Sequence, residues 1–180
     1  MYPRTTLAAL LAGWFHARGP AAVLDLGCGT GLFGVEIAAA KSRLVGVDLS
    51  ARMVDAAGNR GVYDELHAAS IDTYLATHAD RFDLVVATDV LVYIGALETM
   101  FAGVRSHLNA GGRFAFSTES PADLMDGFRL LPAGRYAHSP AYVRALAGAN
   151  GFEVIAQEPA IIRTEANVPI EGFVFVQGAR

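Results

Sequence analysis

A glycine-rich turn between an apolar strand and a helical pattern is the feature that most constrains the fold. The segment reads Val23-Leu24-Asp25-Leu26-Gly27-Cys28-Gly29-Thr30-Gly31, and a helical pattern begins at Leu32. Glycine permits the backbone of a tight turn, and without Cβ atoms the chain can approach a ligand closely. The following helix presents unpaired N–H groups at the same place. This order predicts a ligand site at the carboxyl end of a parallel strand.

An acidic residue closes the second apolar run. Asp48 follows Arg43-Leu44-Val45-Gly46-Val47 and stands seventeen residues after Gly31. A carboxylate at this position can accept hydrogen bonds from both hydroxyls of a ribose. An acid that ends an otherwise apolar strand has little structural purpose. The glycine loop and Asp48 together therefore indicate a ligand that carries a nucleoside.

Short apolar runs alternate with helical patterns along the 180 residues, which predicts a single doubly wound α/β domain with a mostly parallel sheet and helices on both faces. Ser50 and Ser139 are predicted N-caps, and Gly151 is a predicted helix end. Predicted helices cover 32–40, a segment after Ser50, a segment containing Leu97 to Leu108, and 140–150. The seven predicted strands are 21–26, 43–48, about 63–69, 82–87, 113–117, 152–163 and 172–177.

Composition narrows the class of protein. Apolar residues make up 53% of the chain and charged residues 18%, which excludes intrinsic disorder. The net charge is −4 and no basic run occurs, so a nucleic-acid partner is not expected. The single cysteine, Cys28, is expected to be a small buried residue and fits a reducing compartment. The five histidines show no metal-ligand spacing, so no metal is expected.

The N-terminal residues predict an amphipathic helix rather than a signal peptide. Leu7, Leu10, Leu11, Trp14 and Phe15 fall on one helical stripe. No apolar run approaches the roughly 20 residues that a membrane span needs. We therefore expect a cytoplasmic protein without a membrane partner.

The glycine loop leaves two cofactor classes open. Residues 29–34 match G-x-G-x-x-G, which is a fingerprint of nicotinamide dinucleotide binding. Counted from Gly27, the pattern is instead G-x-G-x-G, preceded by the acid Asp25. Dehydrogenases usually add a substrate domain, for which no residues remain. An NAD-dependent oxidoreductase is therefore the weaker alternative.

Four ordered motifs resemble those of the class I S-adenosylmethionine (SAM) methyltransferases. They are Asp25–Gly31, Val45–Ser50, Phe82–Leu91 and Leu108–Arg113. The resemblance implies methyl transfer from SAM, with S-adenosylhomocysteine (SAH) as product, and a strand order of 3-2-1-4-5-7-6 with the last strand antiparallel. It divides the single domain 1–180 into an N-terminal helix (1–20), a cofactor-binding half (21–118) and a substrate-side half (119–180).

Two further segments, Leu131–Ser139 and Glu171–Val176, resemble a group of predicted methyltransferases often fused to tetratricopeptide repeats. The repeats are absent from this sequence, as is most of the N-terminal segment that covers the cofactor in that group. This difference raises a second functional alternative, a SAM-binding but catalytically silent domain that binds a partner.

The resemblance also implies which residues bind the cofactor. The glycines would lie against the methionine part of SAM, Asp25 would orient the loop or the amino group, and Asp48 would hold the ribose. Ser70 stands where the family commonly has an aspartate that binds the adenine amino group. The full implied set is Arg4, Asp25, Gly27, Cys28, Gly29, Gly31, Asp48, Leu49, Met53, Ser70, Ile71, Thr88 and Asp89.

Acceptor residues are inferred from their positions after the strands. Asp89, Tyr93 and His138 are the catalytic candidates, while His138 could equally cap the helix that begins at Ser139. Thr88-Asp89-Val90-Leu91 departs from the Asn/Asp-Pro-Pro-aromatic motif of enzymes that methylate amino groups of nucleobases or glutamine. A small molecule or a protein side chain is therefore the expected acceptor. The substrate candidates are Glu119, Arg135 and Tyr136.

Overall fold

A seven-stranded sheet with helices on both faces forms the body of the protein. The computed structural model describes the chain from Pro3 to Arg180 and its side chains from Thr6 onward, so the predicted contact of the Arg4 side chain lies outside the described residues. The helices are Pro3–Arg18 (α1), Leu32–Ile37 (α2), Ala51–Gly58 (α3), Ile71–Thr77 (α4), Glu98–Ser106 (α5) and Pro140–Ala149 (α6), with a 3₁₀ turn at Leu91–Tyr93. The strands are Ala21–Leu26 (β1), Lys41–Asp48 (β2), Glu65–Ala68 (β3), Phe82–Ala87 (β4), Leu108–Glu119 (β5), Phe128–Leu130 (β6), Tyr136–His138 (β7), Phe152–Glu165 (β8) and Val168–Ala179 (β9).

The strand order of the main sheet is β3-β2-β1-β4-β5-β9-β8. Strand β9 is antiparallel to both of its neighbours, and the other pairs are parallel. When only the strands of this sheet are counted, the order is 3-2-1-4-5-7-6 with an antiparallel last strand. The predicted fold class is therefore confirmed. The small β6–β7 sheet was not predicted, because its strands have three residues each.

Each face of the sheet buries its own apolar cluster. Helix α1 packs Leu7, Leu11 and Phe15 against one face, so the amphipathic reading of the N-terminal stripe is confirmed. Phe101 of α5 lies on the other face with Phe114 and other phenylalanines, at ring-centroid distances of 5.4 to 6.2 Å. None of the described helices is long and apolar enough to cross a membrane.

Local signals predicted the helix ends unequally well. The Ser139 hydroxyl accepts a hydrogen bond from the Tyr142 N–H, which confirms the predicted N-cap of α6. Ser50 precedes α3, but the prediction that its hydroxyl caps the helix is wrong, because that side chain makes no capping bond. Its backbone N–H instead donates to the Asp48 carboxylate.

The predicted end of one helix was wrong, and another helix was not predicted. Helix α2 ends at Ile37 rather than at residue 40, because β2 already begins at Lys41. Helix α4 was not predicted, although Ser70 caps it by accepting a hydrogen bond from the Thr73 N–H at 3.1 Å. With seven residues, α4 is too short to show a clear helical repeat.

The topology brings the ends of distant strands to one edge. Since β9 runs antiparallel to both β5 and β8, strand β8 runs in the same direction as β1, β4 and β5. The carboxyl end of β8, which carries Arg163 and Glu165, therefore lies at the same edge as the glycine loop after β1. Ligands of open α/β sheets bind at this edge.

Candidate active site

The glycine loop follows β1 and is held in place by the neighbouring strand. The backbone N–H groups of Gly27 and Cys28 both donate to the Val47 carbonyl, at 2.7 and 3.0 Å. Gly27 has a φ of +69°, and a Cβ atom there would lie 2.4 Å from Val90 Cγ2. Only glycine satisfies both conditions, so the loop can pass under Val90 without a rearrangement.

Asp48 connects the loop to the turn after β2. Its Oδ2 accepts a hydrogen bond from the Gly29 N–H and its Oδ1 accepts one from the Ser50 N–H, both at 2.9 Å. An ionised carboxylate offers about four acceptor positions. Because two are used by the backbone, Asp48 keeps acceptor capacity toward the cavities that it lines.

Two cavities meet at the loop. Gly27, Asp48, Val90 and Tyr93 line both. The first cavity, of about 520 Å³, extends past the tip of β4 to Ile162 and Arg163, and it also contains Cys28, Gly29, Met53, Thr88 and Asp89. The second cavity, of about 400 Å³, also contains Leu49, Ser70, Ile71 and Asp72. The structure thus brings together most of the residues that the resemblance implies for the cofactor.

The second cavity has an apolar rim. Leu49, which lines the second cavity, is 78% exposed, and Met53, which lines the first, is 41% exposed. On the opposite side, the Ser70 hydroxyl donates to Thr73 Oγ1 at 2.8 Å and accepts from the Thr73 N–H. Ser70 therefore has one acceptor position left, and Asp72 supplies a carboxylate beside it.

Asp25 lies beneath the loop and lines neither cavity. It is fully buried, and Tyr63 Oη donates to its Oδ2 at 2.6 Å. Its Oδ1 has no hydrogen-bond partner among the residues that the structure describes. Burial raises the pKa of Asp25 to about 7; the hydrogen bond from Tyr63 opposes this shift and the Asp48 charge adds to it. Of the two roles predicted for Asp25, this position fits only the support of the loop.

Tyr63 is a residue that the sequence did not single out. Its ring fills the space left by Gly34 and Gly46, where a Cβ atom would lie 2.7 and 2.8 Å from the ring atoms. Gly31, also predicted to contact the cofactor, packs against the same ring and lines neither cavity. Tyr63 lies far from these glycines in the sequence. No local pattern therefore predicts that they pack against its ring.

Cys28 lines the first cavity with little exposure. Burial raises the pKa of its thiol to about 12, and the nearby charges of Asp25 and Asp48 add to the shift. The thiol is therefore protonated at neutral pH, which makes it a poor nucleophile. The interpretation of Cys28 as a small buried residue is consistent with this environment.

Two charged side chains that line the first cavity, Asp89 and Arg163, belong to a larger network of ion pairs. Arg163 donates from Nη1 to Asp89 at 3.3 Å, from Nη2 to Glu119 at 2.5 Å and from Nε to Glu165 at 2.6 Å. Arg135 also forms an ion pair with Glu165. The sequence had singled out Asp89, Glu119 and Arg135 separately, and Arg163 is the residue that joins them.

Asp89 occupies an uncommon backbone conformation at the tip of β4. Its φ is +53°, and its N–H donates to Ser117 Oγ at 2.8 Å. Aspartate is among the few residues other than glycine that adopt this conformation readily. Burial raises the pKa of the carboxyl group, while Arg163 and Arg135 oppose that shift and Glu119 adds to it. The side chain remains 42% exposed, toward the cavity.

The structure does not bring His138 to the cavities. The ring is fully buried in β7, its Nε2 lies 2.8 Å from the Gly95 carbonyl, and burial lowers its pKa. A base must reach the proton that it removes, and His138 cannot. The alternative role as the cap of α6 is also corrected, because Ser139 supplies that cap.

The two tyrosines predicted near the acceptor differ in position. Tyr93 is 66% exposed and lines both cavities, so it stands where the two spaces join. Tyr136 is half-buried in β7, where its ring packs against Phe128 at a centroid distance of 6.1 Å. Tyr136 lines neither cavity and supports the β6–β7 hairpin instead.

A sheet of this order with a glycine loop and an acid at the ends of its first two strands defines the class I SAM-dependent methyltransferase fold. The model of the methyltransferase domain family matches residues 24–114, half of the chain, so this chain belongs to that family. SAM is the methyl donor of this class, and the cofactor prediction is therefore confirmed at the level of the family.

Curated relatives match part of the chain. The ubiquinone biosynthesis O-methyltransferase of Aromatoleum aromaticum is 32% identical over 100 residues, which cover 53% of this chain and 43% of that protein. The malonyl-[acyl-carrier protein] O-methyltransferase of Legionella pneumophila is 34% identical over 135 residues, which cover 69% of this chain and 45% of that protein. The matches thus span less than half the length of these relatives.

Solved structures share the fold over nearly the whole chain. The magnesium protoporphyrin IX methyltransferase of Synechocystis with bound SAM superposes with a TM-score of 0.73 at 21% identity, covering 98% of this chain and 79% of that one. The 1,6-didemethyltoxoflavin-N1-methyltransferase of Burkholderia thailandensis gives a TM-score of 0.77 at 20% identity, covering 98% and 78%. At these identities, the similarity establishes the fold alone.

Proposed function

We propose that this chain transfers a methyl group from SAM to a small-molecule acceptor by direct displacement. The observation that carries the proposal is the pair of cavities that meet at Gly27 and Asp48. One cavity has the apolar rim and hydrogen-bond acceptors that suit an adenosine. The other leads from the loop to a carboxylate, Asp89, that can receive a proton.

In this proposal, the cofactor lies across both cavities. Asp48 accepts hydrogen bonds from the ribose hydroxyls with the capacity that the backbone leaves free. Leu49 and Met53 cover the adenine, and Ser70 with Asp72 faces its edge. A Cβ at Gly29 would meet no atom within 4 Å, so the backbone is open to the methionine part of the ligand.

The reacting groups meet at the tip of β4. Thr88 and Asp89 border the methyl donor, and the Asp89 carboxylate takes the proton that the acceptor gives up. Because the donor is a sulfonium, its sulfur leaves without acid assistance. The protein mainly has to align the acceptor behind the methyl group, and such alignment can supply several kcal/mol.

The size of the first cavity and the names of the relatives favour a small acceptor. The first cavity, of about 520 Å³, lies within the range of roughly 300–1,000 Å³ that is usual for small-molecule sites, and the acceptor would share it with the methionine part of the cofactor. Both curated relatives described above are named as O-methyltransferases. We propose that Glu119 and Arg135 shape the acceptor side of this space through their links to Arg163 and Glu165.

The test uses SAM labelled in the methyl group. The purified protein is incubated with the labelled donor and a cell extract, and small molecules are then separated from macromolecules. The proposal predicts enzyme-dependent label in the small-molecule fraction. Label in the protein fraction would support a protein acceptor instead. Absence of label, with SAH binding intact, would favour the catalytically silent domain, while binding of NAD but not SAH would favour the oxidoreductase.

A further inference from the structure

We propose that this protein has a second small-molecule site, which binds the ammonium group of an apolar amine. The site is a third cavity, of about 420 Å³, where the end of β5 meets β8 and β9. None of the described residues that line it lines either cavity at the glycine loop. Two observations on the described residues carry the proposal: Glu171 is the only charged residue that lines this cavity, and neither its carboxylate nor the Ser120 hydroxyl beside it has a partner.

A close approach of two backbones places these two residues side by side. Gly172 pairs with Glu119 across the sheet, and a Cβ atom on Gly172 would lie 2.0 Å from the Thr118 carbonyl oxygen. A glycine inside a strand often marks such a close approach of another backbone. Directly beyond this pair, the Ser120 N–H donates to the Glu171 carbonyl at 3.3 Å. The fold therefore brings Ser120 and Glu171 together at the cavity.

The polar groups of this pair are open to a ligand. Ser120 is only 8% exposed, and its hydroxyl makes no hydrogen bond with any residue that the structure describes. The Glu171 carboxylate also makes no ion pair or hydrogen bond with the described residues, whereas the neighbouring Glu119 is paired with Arg163. A carboxylate accepts hydrogen bonds only, and a hydroxyl can accept them. One donor group on a ligand can therefore bind both side chains.

The charge of the cavity favours a cationic donor. An ammonium group carries three N–H donors and no acceptor, which matches a carboxylate and a hydroxyl that both accept. Hydrogen bonds between two ionised groups are stronger than those between neutral groups. An anion would instead face the charge of Glu171 without a cation among the described lining residues, and like charges repel. The pair therefore selects an amine over an alcohol or an acid.

The rest of the wall suits an apolar body. Pro159, Ile161 and Phe173 line the cavity together with two alanines. Small-molecule sites usually have a volume of roughly 300–1,000 Å³ and a mostly apolar lining with a few polar groups that fix the orientation of the ligand. This cavity has that volume and that composition, with Ser120 and Glu171 as orienting groups. A molecule with an aryl or alkyl body and one ammonium group therefore fits it.

Titration of the nitrogen-15-labelled protein with 2-phenylethylamine, followed by amide NMR spectra, tests the proposal. We expect a Kd of about 1 mM, since so small a probe binds weakly. The alcohol 2-phenylethanol, which has the same body without the charge, should bind about fivefold more weakly. Glu171→Gln should weaken binding of the amine by about fivefold and Ser120→Ala by about threefold. Glu153→Gln, which removes an exposed carboxylate at the other end of β8, is the matched control and should bind as the wild type does.

The same spectra show where the probe binds and whether each variant is folded. The amide signals of Ser120, Glu171 and Gly172 should shift, and those of Gly27 and Gly29 should not. Shifts confined to the glycine loop, equal affinities for the amine and the alcohol, or an unchanged affinity in Glu171→Gln would overturn the proposal. An absence of saturable shifts up to about 10 mM amine would overturn it as well. Neither SAM nor an acceptor takes part in this titration, so its result is independent of the proposed methyl transfer.

Discussion

The two halves of the proposed ligand site are built from different kinds of groups. On the proposed cofactor side, the groups are the Asp48 carboxylate, which accepts hydrogen bonds from two backbone N–H groups, and an apolar rim around Leu49. On the acceptor side, they are charged side chains that cross-link the ends of β4, β5 and β8 with the segment before β7.

The difference lies in the range of the contacts. Gly29 and Asp48 are 19 residues apart and belong to one strand–loop–helix–strand unit. Asp89 and Arg163 are 74 residues apart, and they meet only because β8 is placed beyond β9 at the edge of the sheet. The cofactor side therefore depends on contacts that are local in sequence, whereas the acceptor side depends on the order of the strands in the sheet.

The sharpest test of this comparison is Asp89→Asn. Loss of the proton acceptor should lower the rate of methyl transfer by about 10²–10⁴-fold, the usual contribution of general base catalysis. Because the cofactor side is held by other groups, SAH affinity should change by less than about threefold. Transfer of label from SAM and SAH calorimetry measure the two effects.

The matched control is Asp123→Asn, which removes a carboxylate from an exposed pair with Arg129 in the same half. This variant should transfer at the wild-type rate. A wild-type rate of methyl transfer in Asp89→Asn would contradict the separation of the acceptor side from the cofactor side. A loss of both rate and SAH affinity in this variant would contradict it as well.

Asp25→Asn, beneath the glycine loop, is expected to have a smaller effect, which concerns the pH dependence of folding stability. The folded-state pKa of Asp25 is about 7, above its ordinary value of 3.8, because the carboxyl group is fully buried. Ionisation therefore costs more in the folded protein than in the unfolded chain. Between these two values, wild-type stability should fall with rising pH, by at most about 1.4 kcal/mol per pH unit from this group.

Asp25→Asn should remove this pH dependence. The free energy of unfolding of the variant, relative to that of the wild type, should therefore rise as the pH rises from about 4 to 7. Urea unfolding at several pH values measures the difference, and Asp55→Asn, an exposed aspartate in the same half, is the control. A difference in stability that does not vary with pH would show that Asp25 ionises as freely in the fold as in the unfolded chain.

The smallest effect concerns the core of the acceptor half. Gln177 is fully buried in β9, and neither its Oε1 nor its Nε2 has a hydrogen-bond partner among the described residues. Such an amide typically costs about 1–3 kcal/mol. Gln177→Met should therefore raise the free energy of unfolding by about 1 kcal/mol and leave SAH binding unchanged.

Gln157→Met gives the contrast, since the Gln157 side chain accepts a hydrogen bond from Arg144 near the surface. This change should not stabilise the protein. Destabilisation by Gln177→Met would mean that the buried amide makes a favourable interaction. It would contradict the prediction that Gln177, unlike Gln157, lowers the stability of the protein.

Sequence patterns predicted the fold and most of the residues that line the cavities at the glycine loop, because their signals are local. The glycine loop, Asp48 and the motifs around β4 and β5 each lie within a few residues, and their order defines the sheet. Helix α4 and strand β6 were not predicted, because elements this short show little sequence pattern. The predicted capping bond of the Ser50 hydroxyl is not formed, and the Ser50 backbone N–H donates to Asp48.

The acceptor side was only partly predictable because its partners are remote in sequence. Asp89, Glu119 and Arg135 were identified from their positions, but the hub, Arg163, was not. A usable signal exists: in this topology β8 is parallel to β4, so a charged residue ending its apolar run faces the ligand edge. His138 was misjudged because nothing in its neighbours indicates that β7 buries its ring.

The most direct test of the account is calorimetric titration of SAH into the wild type, Asp48→Asn and Asp55→Asn. Asp48 both orders the loop through Gly29 and offers acceptors to a ribose, while Asp55 is exposed on α3. The account predicts wild-type binding in the micromolar range, the same affinity in Asp55→Asn, and a loss of roughly 100-fold in Asp48→Asn, or about 2.7 kcal/mol. Equal affinities in all three proteins, or no binding by the wild type, would contradict it.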